Sequence, residues 1–456
     1  MKLMGRNIVV VGLARSGMAV ARFLKAKGAR VTITDQAAES SLGLYASEAR
    51  QVGIDIELGG HRSASFEKAD LIVISPGVPH TLPVLQDAQK RGIKVIGEVE
   101  LAARFIQTPI VAVSGTNGKT TTTELLGQML SASGLKVFVG GNIGNPLIEI
   151  AEKDSTWDII VVEVSSFQLD TIETFRPHVA VLLNITPDHL DRYADFEAYG
   201  RSKARLFENQ GPTDFAVCHG NDALVQKYCR GIRSRILNFY SRPVQNGQQV
   251  YGAIITPRQI AVSIPDLAQG RINLEHTALV GPHNRENIAA AGLAALIAGG
   301  TLEGVQKALD GFQVPAHRIE IVRTLRDILF VNDSKATNVD AVIRALECFD
   351  RPVVLIMGGR NKGYDFTALR VHVQKRVRKL IVIGEAGEAI ISAIGKAPVQ
   401  GAEKADSLEQ AVQKACETAR AGDAVLLSPA CASFDMFRNF EERGNAFVRA
   451  VEALPA

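Results

Sequence analysis

Short apolar runs alternate with amphipathic stretches along the whole chain. Ile8 to Val11 is followed by Ser16 to Lys27, Val31 to Thr34 ends at Asp35, and Leu71 to Ile74 ends at Ser75-Pro-Gly77. Apolar runs of this length bounded by turn residues read as buried strands, and the stretches between them read as helices. The pattern resumes with Ile110-Val-Ala-Val113 and a helix over Thr121 to Ser133, whose Leu125, Leu126, Met129 and Leu130 share one stripe. Three further strands are expected at Val137 to Val139, Ile159 to Val164 and Val179 to Leu183. The polar, turn-rich stretch from Gln245 to Asn273 predicts a side sheet, and Asn284 to Ile297 an alanine-rich helix. From about Pro315 the alternation starts again, with strands at Ile328 to Val331, Val353 to Met357, Leu380 to Ile383 and Ala424 to Leu427. Such alternation builds parallel, wound sheets whose ligands lie at the carboxyl ends of the strands. Three α/β domains in series are predicted, over residues 1–97, 98–314 and 315–456.

The 456 residues exceed what one core organises, which agrees with several domains. No apolar run approaches the roughly 20 residues that span a bilayer. Lys+Arg of 51 against Asp+Glu of 48 leaves a net charge of +3, too small to argue for nucleic acid and equally suited to small anionic substrates. The five cysteines, Cys218, Cys229, Cys348, Cys416 and Cys431, form no CxxC. They fit reduced thiols in a cytoplasmic protein better than a disulfide framework or a zinc site.

Candidate chemistry gathers after the strands. Gly115-Thr116-Asn117-Gly118-Lys119-Thr120 follows one strand and opens a helix. Its glycines let backbone N–H groups turn toward phosphate oxygens, Lys119 supplies a point charge, and the Thr120 hydroxyl can ligate magnesium. The spacing is shorter than GxxxxGK[ST], since Val113 stands at the first glycine, and the alternative is a structural glycine turn. Gly12-Leu-Ala-Arg-Ser-Gly17 lacks the middle glycine of a dinucleotide fingerprint, so another diphosphate ligand competes with NAD there. Glu163 ends an apolar strand, where an unpaired carboxylate is costly. Magnesium or a basic side chain is its expected partner. Asp188-His189 sits similarly after a strand, as a metal or substrate group or a structural histidine. The loop Gly140 to Asn145 offers Asn142 to a polar ligand or makes a tight turn. Lys203, in the basic stretch Tyr199 to Phe207, reads from composition as solvated.

Together, Gly115 to Thr120, Gly141-Asn-Ile-Gly144, Glu163-Val-Ser-Ser-Phe-Gln-Leu169 and Asp188-His-Leu-Asp-Arg-Tyr193 resemble the central domain of the Mur ligases. His317-Arg-Ile-Glu320, Asn332 to Asn338, Gly358-Gly-Arg-Asn-Lys362 and Leu427 to Asp435 extend the resemblance to the C-terminal block. It is closest to the members that add D-glutamate. The resemblance implies a Rossmann-like UDP-sugar domain (1–97), a central P-loop ATPase-type domain with a small β side sheet (98–314), and a Rossmann-like amino-acid-binding domain (315–456). It also implies an ATP-dependent ligase of peptidoglycan precursor synthesis that joins D-glutamate to UDP-N-acetylmuramoyl-L-alanine through an acyl phosphate.

Carried over residue by residue, Gly115 to Thr121 take the ATP phosphates, and Asn284, Asn287, Arg318 and Asp333 hold adenine and ribose. Thr120, Glu163, His189 and a carbamate on Lys203 would bind two Mg²⁺ ions, with Lys119, Glu163, His189 and Lys203 as catalytic groups. Arg15, Ser16, Ser75, Asn142 and Gln168 would bind the UDP substrate, and Thr337, Lys362, Ser433, Phe434 and Phe440 the D-glutamate. The expected protein is a monomer with no nucleic-acid partner and no membrane insertion. One departure is visible: Asp35-Gln36-Ala37 stands where some members show Thr-Arg after the aspartate, and Arg15 is expected to supply compensating charge. Competing readings are another amino-acid ligase of the family, a folylpolyglutamate synthetase, a nicotinamide-dependent dehydrogenase built on Gly12 to Gly17, and a nucleotide-dependent switch. No Asp-Asn-Pro-Arg motif of the diaminopimelate-adding type is present, and the dehydrogenase leaves the phosphate loop unexplained.

Overall fold

The computed structural model describes residues 1–152, 156–190, 192–242, 251–395, 398 and 400–455. Asp191 and the part of the predicted side sheet from 245 to 250 lie outside the described residues. The chain divides into two compact units. The first comprises Met1–Ile185, Gly200–Glu275 and Asn287–Asp310, and the second Thr186–Tyr199, His276–Glu286 and Gly311–Ala456.

The first unit holds two sheets. One contains β1 (Asn7–Val11), β2 (Arg30–Asp35), β3 (Asp55–Leu58), β4 (Leu71–Ile74) and β5 (Val95–Gly97) in the order β3-β2-β1-β4-β5. All pairs are parallel, with Val9 opposite both Thr32 and Ile72. The order reverses between β1 and β4, so their carboxyl ends open a crevice. Helix Arg15–Ala26 buries Met18, Val20, Ala21, Phe23 and Leu24 on one face. Each of these side chains larger than alanine contributes about 1.5–3 kcal/mol. The expected strands are present, and β3 and β5 add to them.

The second sheet contains β6 (Ile110–Ser114), β7 (Val137–Gly141), β8 (Ile159–Glu163), β9 (Val179–Leu182), β10 (Phe215–His219), β11 (Arg235–Tyr240), β12 (Gly252–Ile255), β13 (Gln259–Ile264) and β14 (Ala268–Asn273). Its order is β14-β13-β12-β11-β10-β9-β6-β8-β7. The side element is the antiparallel run β12-β13-β14, which continues the sheet because β12 pairs parallel with β11. Helix Glu98–Ala103 seats the two sheets of this unit on each other. Glu100, fully buried, accepts backbone N–H groups of Glu173, Thr174 and Phe175, the Thr174 hydroxyl and Arg104 Nε. Burial pushes its carboxyl up, but these donors more than offset that and hold it below its ordinary range.

The second unit is built on β15 (Glu320–Leu325), β16 (Ile328–Asn332), β17 (Val353–Gly358), β18 (Val377–Ile383), β19 (Ala402–Lys404) and β20 (Ala424–Leu427), ordered β15-β16-β20-β17-β18-β19. Only the β15–β16 pair is antiparallel. Apolar clusters cover both faces, as parallel sheets require. Among the described residues, no helix is long and apolar enough to cross a membrane.

Candidate active site

The loop after β6 has the backbone of a phosphate cradle. Gly115 and Gly118 have φ of 152° and 86°, and Gly118 caps helix Lys119–Ala132, whose N-terminus is the kind of end that receives phosphate. The helix starts two residues before the expected Thr121, which places Lys119 and Thr120 in its first turn. Lys119 Nζ donates to the carbonyls of Gly115 (3.0 Å) and Thr116 (2.7 Å). Asn184, just past β9, clamps the loop. Its Oδ1 accepts from the N–H groups of Thr116 and Asn117, and its Nδ2 donates to the Asn117 carbonyl. The sequence carries no signal for this role of Asn184, since nothing local links it to a loop 67 residues away. Asn287 lies against the same loop: a Cβ on Gly118 would meet its Oδ1 at 2.3 Å.

Glu163, 2% exposed at the end of β8, accepts the Thr120 hydroxyl (2.8 Å) and the Asn142 amide (2.7 Å). Among the described residues no basic side chain pairs with it, so the alternative of an Arg or Lys partner is not found. A buried carboxylate held by two uncharged donors carries charge at low cost only beside a cation. Lys203 is 1% exposed and donates to the Gly115 carbonyl at 2.7 Å. That overturns the solvated reading of its helix: Phe196–Ala204 turns this one basic residue inward while Arg201 stays exposed. Gln168 is buried. Its Oε1 accepts from Ser165 N–H and Oγ in a capping box, while its Nε2 finds no partner among the described residues. A buried donor of this kind calls for a partner, such as water or a ligand.

A cleft of about 550 Å³ opens at the carboxyl ends of β1, β2 and β4 in the same unit. Its walls include Gly12 to Ser16, Asp35, Gln36, His61, Ser75 to Pro79, Gly141 and Asn142. Ser75 Oγ donates to the Gly12 carbonyl (3.3 Å). Asp35 braces the turn by accepting the N–H groups of Leu13 (2.7 Å) and Ala37 (2.8 Å). Arg15, expected to compensate for the Gln36-Ala37 departure, instead donates to the Gly144 carbonyl (2.9 Å) and the Asn145 side chain. Its charge therefore serves the glycine loop.

The remaining expected residues belong to the second unit, save that Asn284 and Asn287, three residues apart on helix Pro282–Ile297, fall in different units. Asn284 Nδ2 donates to the Val280 carbonyl. His189 has φ of 55° beside Asp188, whose carboxylate accepts from Tyr364 and Asn338. Asp333 accepts from Ser428 Oγ and Ile319 N–H, and burial raises its carboxyl to about 7 against the lowering pull of Ser428 and Arg318. Thr337 and Lys362 are half-buried, and Lys362 has no hydrogen bond or ion pair among the described residues. Ser433 is buried, while Phe434 is 62% exposed and so forms no closed wall. Phe440 opens helix Phe440–Glu452 with Lys335 Nζ 3.6 Å from its ring centre.

Arg443 was not anticipated. Fully buried, it donates to Ser334 Oγ and O and to the Cys431 carbonyl, tying the loop that carries Asp333 and Thr337 to the one that carries Ser433. Burial lowers its guanidinium to about 10. A helical arginine gives no sequence signal of such a role.

Comparison with known proteins identifies the family. Residues 6–97 match the Mur ligase MurD-like N-terminal domain, 113–295 the Mur ligase middle domain, and 317–431 the Mur ligase glutamate ligase domain. The chain is 52% identical over 450 residues to the UDP-N-acetylmuramoylalanine--D-glutamate ligase of Desulfosudis oleivorans, covering 98% of this chain and 96% of that one. It is 50% identical over 459 residues to the ligase of the same name from Desulfatibacillum aliphaticivorans, covering all of both chains. In fold it is similar to the MurF ligase of Thermotoga maritima solved in complex with ADP, with a TM-score of 0.61 at 18% identity over 99% of both chains. The chain belongs to the Mur ligase family.

Proposed function

We propose that the chain joins D-glutamate to UDP-N-acetylmuramoyl-L-alanine at the expense of ATP, in the synthesis of peptidoglycan precursors. The observation that carries this reading is the chain of contacts Thr120–Glu163–Asn142, which links the phosphate loop to a wall of the UDP-sized cleft. A triphosphate on that loop then has its γ-phosphate beside a carboxylate presented by the cleft. An oxygen of the L-alanine carboxylate attacks the γ-phosphorus, ADP leaves, and an acyl phosphate forms. The neutral amine of D-glutamate attacks its carbonyl carbon, a proton and phosphate depart, and an amide remains. Phosphorylation is needed because a carboxylate oxygen is too poor a leaving group in water.

In this reading Gly115 to Thr121 bind the phosphates, with Lys119 offsetting charge on the moving phosphoryl group. Asn284, Asn287, Arg318 and Asp333 take adenine and ribose. Arg15, Ser16, Ser75, Asn142 and Gln168 take the UDP substrate, with the Gln168 amide donating to it. Thr337, Ser433, Phe434 and Phe440 shape the amino-acid pocket, and Lys362 pairs a D-glutamate carboxylate. The oxygen donors of Glu163 and Thr120 fit Mg²⁺, with His189 and a carbamate on Lys203 completing two sites. Bound there, the ions supply positive charge to the phosphates. The assigned domains are 1–97 for the UDP-sugar, 98–314 for ATP and 315–456 for the amino acid, in a cytoplasmic monomer.

The test is phosphate release by the purified protein. Release is expected only when ATP, UDP-N-acetylmuramoyl-L-alanine and D-glutamate are all present. Equal release with L-glutamate, or without the UDP-sugar, overturns the assignment.

A further inference from the structure

The cleft has one wall whose chemistry the family comparison does not account for. If the substrate's reacting carboxylate lies toward Asn142 and Glu163, and its diphosphate lies on the turn Gly12 to Ser16 at a helix N-terminus, its base falls at the ends of β2 and β3. There Ala37 offers only a methyl group, and Arg15 is turned to the glycine loop. Asp35 is committed to the backbone of Leu13 and Ala37. His61 and the exposed Gln36 are the other polar side chains lining this end, and of the two His61 is held by Thr34 and Phe66.

The position of His61 is built. The N–H groups of Gly59 and Gly60 donate to the carbonyls of Ala37 and Asp35, which ties the loop after β3 to the end of β2. The ring meets Phe66 edge-on, with centroids 5.9 Å apart. Its Nδ1 lies 2.9 Å from Thr34 Oγ1, and Thr34, buried, has the Gly60 carbonyl as acceptor for its own proton. The hydroxyl oxygen is thus left to accept from Nδ1–H, which makes Nε2 of the neutral ring an acceptor.

We propose that His61 reads the base of the UDP substrate, its Nε2 accepting the N3–H of uracil. This inference rests on the UDP-muramoyl reading above and deepens it. A cytosine ring carries no hydrogen at N3 and would set lone pair against lone pair. His61 is thereby the residue that selects a uridine over a cytidine nucleotide in this chain.

The experiment is calorimetric titration of the full-length protein with UDP and with CDP, for wild type, His61→Ala and His61→Phe. The phenyl ring keeps the contact with Phe66 without an acceptor, which guards against loss of fold in the alanine variant. Wild type is expected to bind UDP about tenfold tighter than CDP. Either variant should lose that preference while its affinity for ATP is unchanged, and KM for the UDP-sugar should rise with kcat preserved. A UDP-to-CDP ratio that stays at the wild-type value in a variant that still binds ATP overturns the role of His61 alone. Wild-type protein that binds no UDP and releases no phosphate overturns the functional reading and the inference with it.

Discussion

At the scale of single residues, the decisive groups are polar side chains that end strands. Asn142 holds Glu163 from the side opposite Thr120. Replacing Asn142 by alanine should lower kcat by about 10- to 100-fold, as loss of a partner that orients a ligand does, with the thermal midpoint little changed. Steady-state kinetics with and without excess Mg²⁺ checks this, and an unaltered kcat would remove the link between loop and cleft. Lys203 makes a second case. It is buried against the Gly115 carbonyl of the phosphate loop, and the proposed carbamate is tested there. Lys203→Ala should abolish most turnover and short carboxylates should restore part of it. An unaffected rate discards the carbamate. Glu163 was legible as a polar end to an apolar run. The burial of Lys203 was not, because Arg201 and Arg205 flank it two residues away on either side, and only the tertiary fold decides which basic residue turns inward.

Among elements, the phosphate loop and its helix act as one body. Gly118 caps the helix at φ 86°, and a methyl group there would collide with Asn287. Gly118→Ala is therefore expected to raise KM for ATP at least tenfold while UDP still binds to the cleft, a split that equilibrium titration of each nucleotide resolves. Strands buried on both faces announced themselves as apolar runs, and β1, β4, β6, β8, β9 and β20 stand within a residue or two of where the pattern puts them. Edge and side strands did not. β3 reads Asp-Ile-Glu-Leu and β11 begins and ends with polar or half-polar residues, because one face of each is open to water. The antiparallel run β12 to β14 was legible as β-like, but its attachment to β11 depends on a parallel pairing that no local pattern encodes. The candidate site follows the same division: its loops carry motifs, whereas Asn184, His61 and Arg443 act through partners far away in sequence.

For the whole molecule, each compact unit keeps one carboxyl near neutrality, and that sets how stability responds to pH. Glu98 in the first unit is buried and pushed up to about 7 by burial, against the lowering effect of the Ile148 and Leu147 N–H groups. Asp333 in the second is likewise raised to about 7 by burial. In the unfolded chain they titrate near 4.5 and 3.8. Between those values and 7 the folded protein keeps protons that the unfolded chain has released. The contribution is thus full below the unfolded values and is lost as pH rises through about 7, with an upper bound of about 3–4 kcal/mol per group. Glu98→Gln, which keeps a carbonyl acceptor for Ile148 N–H, should match wild type at pH 4 and exceed it at pH 8. Asp333→Asn should do the same through the second unit. The two carboxyls share no hydrogen-bond partner, so their effects should add within about 0.5 kcal/mol. Urea unfolding of the wild type, both single variants and the double variant at pH 4, 6 and 8 measures all three statements. A Glu98→Gln protein whose stability falls with pH as steeply as wild type would show that the buried carboxyl is already ionised well below 7.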